Sequence, residues 1–91
     1  MAGYRPDIPP HVAEVIRTLP PDVKRGVKAA IRALSGDPSG GEPLQGELAG
    51  LMKYRVRRYR VVYEIVRPAR VLRIVAVGHR RSVYELLRRS G

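Results

Sequence analysis

Apolar and polar positions along the chain change period part-way through. From His11 to Leu19 the apolar residues fall at Val12, Val15, Ile16 and Leu19, which makes one helical stripe. Pro20-Pro21 closes this helix and opens another, because proline is tolerated in a first turn and not in a helix interior. The second helix carries Val23, Val27, Ala30, Ile31 and Leu34 on one face, with Lys24, Arg25, Lys28 and Arg32 elsewhere, and stops at Gly36 and Pro38. The two stripes predict a helical hairpin over a common core. Ahead of it, residues 4–8 predict a short strand ending at Pro9-Pro10.

Residues 36–43 are loop by composition, and Leu44, Leu48, Leu51 and Met52 pin an irregular strand or turn that follows. From Lys53 the period becomes two. Lys-Tyr-Arg-Val-Arg-Arg-Tyr-Arg-Val-Val-Tyr alternates apolar and basic side chains up to Tyr63. With Arg67-Pro68-Ala69-Arg70 as a turn, Ile65 faces Leu72, Tyr63 faces Ile74 and Val61 faces Ala76. On the other side Val66 meets Val71, Glu64 meets Arg73, Val62 meets Val75 and Arg60 meets Val77. A one-residue slip would mix the two sets, so the register is strongly specified. A second hairpin turns at Arg57-Arg58, with Val56 opposite Tyr59, Tyr54 opposite Val61, Lys53 opposite Val62 and Arg55 opposite Arg60. Arginine pairs across a ladder are unfavourable, and Arg-Arg is poor chemistry for a two-residue turn, so a longer turn stays open here.

Gly78 is expected to break the last strand and to leave His79-Arg80-Arg81 in a loop. Ser82-Val83-Tyr84-Glu85 reads as a capping box that starts a terminal helix, with Leu86 and Leu87 as its anchors and Arg88-Arg89 near its end. The predicted order is β-α-α-β-β-β-α. This is an α+β fold, a single domain over residues 1–91: a small antiparallel sheet, a helical hairpin on one face and a short C-terminal helix.

Charge changes the picture. Eighteen Lys and Arg against eight Asp and Glu give a net charge of +10 and a pI near 11.1. Solubility does not require so lopsided a balance, so an anionic partner is expected: nucleic acid first, an acidic protein segment second, an anionic membrane third. The chain has no cysteine and only two histidines, far apart, which argues against a disulfide framework, a thiol nucleophile or a zinc site. No metal or cofactor is expected. No run approaches a transmembrane span, and a cytoplasmic location is the simplest expectation.

The strand faces concentrate that charge. Lys53, Arg55 and Arg60 share the side away from the helices, and residues 79–84 begin one step beyond the same end of the sheet. This gathers His79, Arg80, Arg81 and Tyr84 near the basic strands. Cations with a phenol, and no carboxylate pair, suit metal-free phosphodiester cleavage by an RNA 2′-hydroxyl. That reaction needs a base, charge neutralisation on a phosphorane-like transition state, and stabilisation of the leaving 5′-oxygen. Arginine forks match phosphate oxygens. A free phenol is a poor base, and nearby cations favour its phenolate form. Each residue also has a plainer reading. Arg55 and Arg60 would be solvated strand positions, and Tyr84 a packed aromatic. His79 would be a loop residue rather than a general acid, His11 a helix-start surface residue, and Arg57, Arg58 and Arg81 non-specific electrostatics.

Taken together, Leu19-Pro-Pro-Asp-Val-Lys24, Asp37-Pro38, Leu44-Gln-Gly-Glu-Leu-Ala-Gly-Leu51, Lys53-Tyr-Arg-Val56, Tyr59-Arg-Val-Val-Tyr-Glu-Ile65 and Val77-Gly-His-Arg-Arg-Ser-Val-Tyr84 resemble the RelE/ParE superfamily of type II toxins, the RelE branch in particular. The resemblance implies a microbial-ribonuclease-like fold and a ribosome-dependent, metal-independent endoribonuclease that cuts mRNA in the A site. Under it, Lys53 and Arg55 match the basic pair on the mRNA phosphates, and Arg60 the arginine on the scissile phosphate. Arg80 matches the arginine at the developing charge or leaving group, and Tyr84 the proposed general base. Lys53, Arg55, Arg57, Arg58, Arg60, His79 and Arg81 would form the RNA-binding surface. The resemblance also implies a cognate antitoxin whose acidic or amphipathic segment covers the basic face, displacing the terminal helix. Arg57-Arg58 departs from the Gly-containing turn of relatives. A ParE-like gyrase inhibitor of the same fold, or a non-catalytic RNA-binding module, are the alternatives.

Overall fold

The structure, a computed structural model, describes residues 3–90, with side chains described as far as Arg88; the Arg89 side chain lies outside the described residues. The order is β1 (Arg5–Asp7), α1 (Pro10–Arg17), α2 (Pro21–Gly36), β2 (Glu42–Pro43), β3 (Met52–Val56), β4 (Tyr59–Val66), β5 (Val71–His79) and α3 (Val83–Ser90). Single 3₁₀ turns at Pro38–Gly40 and Gly46–Leu48 link α2 to β3.

Proline starts both members of the helical hairpin, as the chain pattern requires. Asp37 ends α2 and turns the chain, its side chain accepting from Ser39 N at 3.2 Å and Ser39 Oγ at 2.6 Å. Val12 and Ile16 of α1 and Val23, Val27, Ala30, Ile31 and Leu34 of α2 pack on Val56, Val61, Tyr63, Leu72, Ile74 and Val77 of the sheet. This is the predicted core, on the predicted face. Val15 is the exception on the α1 stripe and is 38% exposed.

The sheet has five strands in the order β1-β5-β4-β3-β2 and is mixed rather than antiparallel. β1 runs parallel to β5, with Arg5 paired to Val71 and Asp7 to Arg73. β3 already occupies the other side of β4, so the outer edge of β5 is where the N-terminal strand can bond. The Arg5 N–H donates to Arg70 O, just before β5, at 2.9 Å, and the Tyr4 N–H donates to Ser35 O at the end of α2 at 2.7 Å. β2 is a two-residue addition within the stretch expected to be loop.

The β3–β4 register is as predicted throughout, from Lys53 opposite Val62 to Val56 opposite Tyr59, with Arg55 opposite Arg60. Arg57-Arg58 is therefore a two-residue turn, and Arg57 takes the positive φ of 56° that this turn demands. On the far side, Val66–Tyr63 pair with Val71–Ile74 as predicted, and Arg70 N donates to Arg67 O at 3.1 Å across the turn.

The near half of that ladder differs. A β-bulge between Val62 and Tyr63 leaves Val75 as an extra residue on β5, so Val62 pairs with Ala76, Val61 with Val77 and Arg60 with Gly78. The bulge keeps Val77, 5% exposed, on the core face that the simple alternation assigned to Ala76. It also carries β5 through Gly78 to His79, which pairs with Tyr59, so His79 ends a strand rather than lying in a loop.

α3 begins at Val83, just after Ser82, and lies on the sheet face away from the hairpin. Val83 is fully buried and anchors it. A Cβ at Gly78 would meet the Val83 side chain at 3.4 Å, so the glycine lets the helix sit close to the strand. Leu86, expected to anchor this helix, is 52% exposed, because Val83 holds the buried position one turn earlier. At the other end Arg88 Nε lies 3.5 Å from Glu47 Oε1, so α3 reaches from β5 to the segment before β3. No helix among the described residues is long and apolar enough to cross a membrane.

Candidate nucleic-acid interface

The alternation of β3 and β4 places Lys53, Arg55 and Arg60 on the face opposite the hairpin, at the rung where Arg55 and Arg60 oppose each other. They line one cleft of about 490 Å³ together with Tyr54, Gly40, Gly41 and Glu42. Thus three of the expected site residues share one concavity.

Their surroundings leave them positive. Among the described residues neither Arg55 nor Arg60 forms an ion pair. The Arg60 guanidinium instead donates through Nη1 to Tyr59 O at 2.9 Å and Arg57 O at 3.3 Å, which fixes its direction without cancelling its charge. Lys53 Nζ sits 3.9 Å from Glu42 Oε1, at the outer limit of an ion pair. Two arginines across one rung cost a few tenths of a kcal/mol and gain nothing structural. An anion between them removes that cost.

The wall formed by residues 38–42 is held from the core. The Tyr63 hydroxyl donates to Pro38 O at 2.6 Å and accepts from Gly41 N at 3.1 Å. A Cβ at Gly41 would collide with that hydroxyl and with Lys53 O, so only glycine fits there. Burial pushes the Tyr63 phenol above its ordinary pKa, against the lowering effect of the Gly41 hydrogen bond. Chain patterning did not reveal this tie, since Tyr63 and Gly41 lie 22 residues apart and Tyr63 reads as a plain core residue. The Gly40-Gly41 pair was the one available signal.

The second group of residues meets the first at its end. Arg80 N donates to Arg58 O at 2.8 Å, which fastens the segment after β5 to the β3–β4 turn. Arg58, Arg80 and Arg81 are exposed and form no ion pair among the described residues. Arg57 is also exposed, with Asp22 Oδ2 at 3.6 Å from its Nη1. His79 packs its ring edge-on to Tyr59, with centroids 5.5 Å apart. Arg80 and Tyr84 do not line the cleft. Tyr84 is half-buried in the first turn of α3, and its hydroxyl is enclosed with no hydrogen-bond partner. A buried polar group left unpaired costs on the order of 1–3 kcal/mol, which favours any rearrangement that gives it a partner. His11 is exposed at the start of α1 and lies apart from the cleft.

Among the described residues no group of His, Asp and Glu could hold a metal ion. What the cleft offers is two guanidiniums, that of Arg60 oriented by backbone carbonyls, an ammonium, and a wall of glycine backbone with the Glu42 carboxylate at its Lys53 end. These are the parts for binding a phosphodiester.

Comparison with known proteins bears on the family and the fold. The family model for the ParE toxin of the type II toxin–antitoxin system parDE matches residues 11–84. The RelBE2 toxin–antitoxin complex of Mycobacterium tuberculosis superposes with a TM-score of 0.78 at 29% identity, covering 86% of this chain and 99% of that one. The archaeal RelE–RelB complex from Pyrococcus horikoshii gives 0.72 at 23% identity, covering 88% and 98%. The YoeB/ParE toxin from Agrobacterium tumefaciens gives 0.71 at 19%, covering 82% and 96%. The last two speak for the fold alone. Sequence comparison with curated proteins finds no significant match.

Proposed function

The chain belongs to the ParE toxin family of type II toxin–antitoxin systems, within the RelE/ParE superfamily, and from that footing we propose that it is a ribosome-dependent, metal-independent endoribonuclease that cuts mRNA in the A site and so inhibits translation. The observation that carries this reading is the rung of Arg55 and Arg60 beside Lys53, in a cleft where no carboxylate among the described residues pairs with either arginine.

In this reading the RNA 2′-oxygen attacks the adjacent phosphorus, its proton passes to a base, and the bond from phosphorus to the 5′-oxygen breaks. The products are a 2′,3′-cyclic phosphate and a 5′-hydroxyl. Arg60, held by two backbone carbonyls, grips the scissile phosphate, and Lys53 and Arg55 neutralise charge that grows in the transition state. Arg80 serves the leaving oxygen. Tyr84 is the candidate base. Its hydroxyl is enclosed when α3 is seated, so this role requires the helix to shift until the phenol meets the substrate. Arg57, Arg58, His79 and Arg81 do not line the cleft and in this reading add phosphate affinity from beyond it. The ribosome supplies the mRNA in the required geometry, which a small domain with one open cleft does not impose by itself.

An antitoxin that covers this cationic face with acidic groups is the inhibitory partner in the same proposal. The M. tuberculosis and P. horikoshii relatives are toxin–antitoxin complexes, which supports it. The competing reading is a gyrase inhibitor of the same fold. The family model's ParE description and the enclosed Tyr84 hydroxyl favour it.

Expression of the chain in a translation extract, followed by mapping of mRNA 5′ ends, separates the two. In-codon cuts that require ribosomes and vanish in Arg80→Ala support the nuclease. Intact mRNA with double-strand breaks in gyrase-bound DNA supports the inhibitor. RNA binding with steep salt dependence and no cuts leaves only a binding module.

A further inference from the structure

The segment from His79 to Ser82 makes a tight corner between β5 and α3, and its hydrogen bonds converge on one residue. His79 Nδ1 accepts from Arg81 N at 3.2 Å. The His79 carbonyl accepts from Ser82 N at 3.0 Å and Ser82 Oγ at 3.5 Å. Its ring stands edge-on to Tyr59, at 74° between planes, directly across the last rung of the ladder. Arg80, between these contacts, donates its own N–H to Arg58 O.

Each bond has a consequence for Arg80. The Tyr59 contact fixes the ring of His79. The fixed ring places Nδ1 as an acceptor on the far side of Arg80, at Arg81. The Arg58 carbonyl fixes the near side. The Arg80 backbone is thus held from both directions, and its exposed guanidinium starts from a defined point beside the β3–β4 turn. Nδ1 can accept only when it carries no proton, so the neutral ring must bear its hydrogen on Nε2. An ordinary corner residue would need neither the ring contact nor one tautomer.

We propose that His79 is a positioning residue that holds Arg80 against the β3–β4 turn, beyond the cleft lining, through its Nδ1 acceptor and its contact with Tyr59. Its consequence for cleavage rests on the nuclease reading; the latch itself does not. His79 touches no reacting atom in this scheme. It acts through Arg80, whose placement to within about 1 Å governs the rate.

Two measurements test the proposal. The first needs no activity. Long-range ¹H–¹⁵N spectra of the folded chain, recorded where histidine is neutral, should show the Nε2–H tautomer at His79. The Arg80 and Arg81 amides should exchange at least about tenfold faster in His79→Ala. They should stay protected in His79→Asn, whose Oδ1 is attached at the same γ-carbon as Nδ1. An Nδ1–H tautomer, or unchanged exchange in the alanine variant, overturns the latch even if the protein cleaves RNA.

The second is a double-mutant cycle on programmed ribosomes. His79→Ala should lower kcat about ten- to a hundredfold with KM little changed, and His79→Asn should restore most of it. The double variant His79→Ala/Arg80→Ala should be no slower than Arg80→Ala alone. Additive losses, or an asparagine variant no better than alanine, overturn the route through Arg80. If the wild-type chain cuts nothing, the nuclease reading fails and the tautomer and exchange data still decide the latch.

Discussion

The β4–β5 ladder has two halves that meet at Tyr63, and they treat charge in opposite ways. In the far half, Tyr63–Val66 pair with Val71–Ile74 without irregularity, and the cation on this stretch is neutralised twice. Arg73 Nη1 lies 3.1 Å from Glu64 Oε1 and its Nε lies 3.6 Å from Asp7 Oδ2. In the near half the bulge at Val75 resets the pairing, and among the described residues Arg60 meets no carboxylate. Its guanidinium is steered by carbonyls and set across from a second arginine. Arg73 is given counter-charge, and Arg60 is given direction only. Bulges recur beside active sites because they re-aim side chains at the end of a sheet, and here the extra residue, Val75, lies three residues before Gly78, the partner of Arg60.

Substitutions in the two halves should therefore separate stability from activity. Leu72→Ala, in the far half, removes a fully buried side chain and should cost about 2–5 kcal/mol in a denaturant titration. Cleavage per folded molecule should be unchanged. Tyr63→Phe sits at the junction and should show in both. Losing the hydroxyl orphans Pro38 O and Gly41 N, which should cost about 1–3 kcal/mol, and it frees the cleft wall, which should weaken RNA binding. The same hydroxyl carries a pH signature. Its pKa is raised by burial in the folded state, so the native form holds the proton more tightly than the unfolded chain. That contribution is complete below the ordinary phenol pKa near 10 and is lost as pH rises through the folded value. The wild-type protein should lose stability in strong alkali more steeply than Tyr63→Phe.

Deleting Val75 is the sharper test of the comparison. The remaining strand keeps Ala76 opposite Val62 and Val77 opposite Val61, with every side chain on its present face. Stability should change by no more than about 1–2 kcal/mol, while the twist that aims the cleft end is lost and cleavage should fall at least tenfold. Equal losses would make the bulge a mere packing device. The smallest effect belongs to Arg73→Ala. Its ion pairs are half-exposed and should contribute only about 0.2–1 kcal/mol, with cleavage untouched.

The same contrast explains what could be read in advance. The far register was legible because Leu72 and Ile74 alternate with the polar Arg73, which sets the phase. Past Ile74 the chain runs Val75-Ala76-Val77, and a continuous apolar run carries no phase, so the extra residue could not be seen. Arg55 and Arg60 were legible since basic residues alternate with Tyr54, Val56, Tyr59 and Val61. The glycine wall was not, because its tie to Tyr63 spans 22 residues and involves a hydroxyl that hydropathy ignores. The enclosure of the Tyr84 hydroxyl depends on how α3 seats over Gly78, a tertiary contact with no local pattern.

The central claim is that the near-half cleft carries out the chemistry. Its most direct test is single-turnover cleavage of mRNA on programmed ribosomes by purified wild type, Arg60→Ala and, as the far-half control, Arg67→Ala. The account predicts a loss of about 10²–10³ in rate for Arg60→Ala, the scale of removing one group that stabilises transition-state charge, and no change for Arg67→Ala. Equal rates for all three proteins would contradict it.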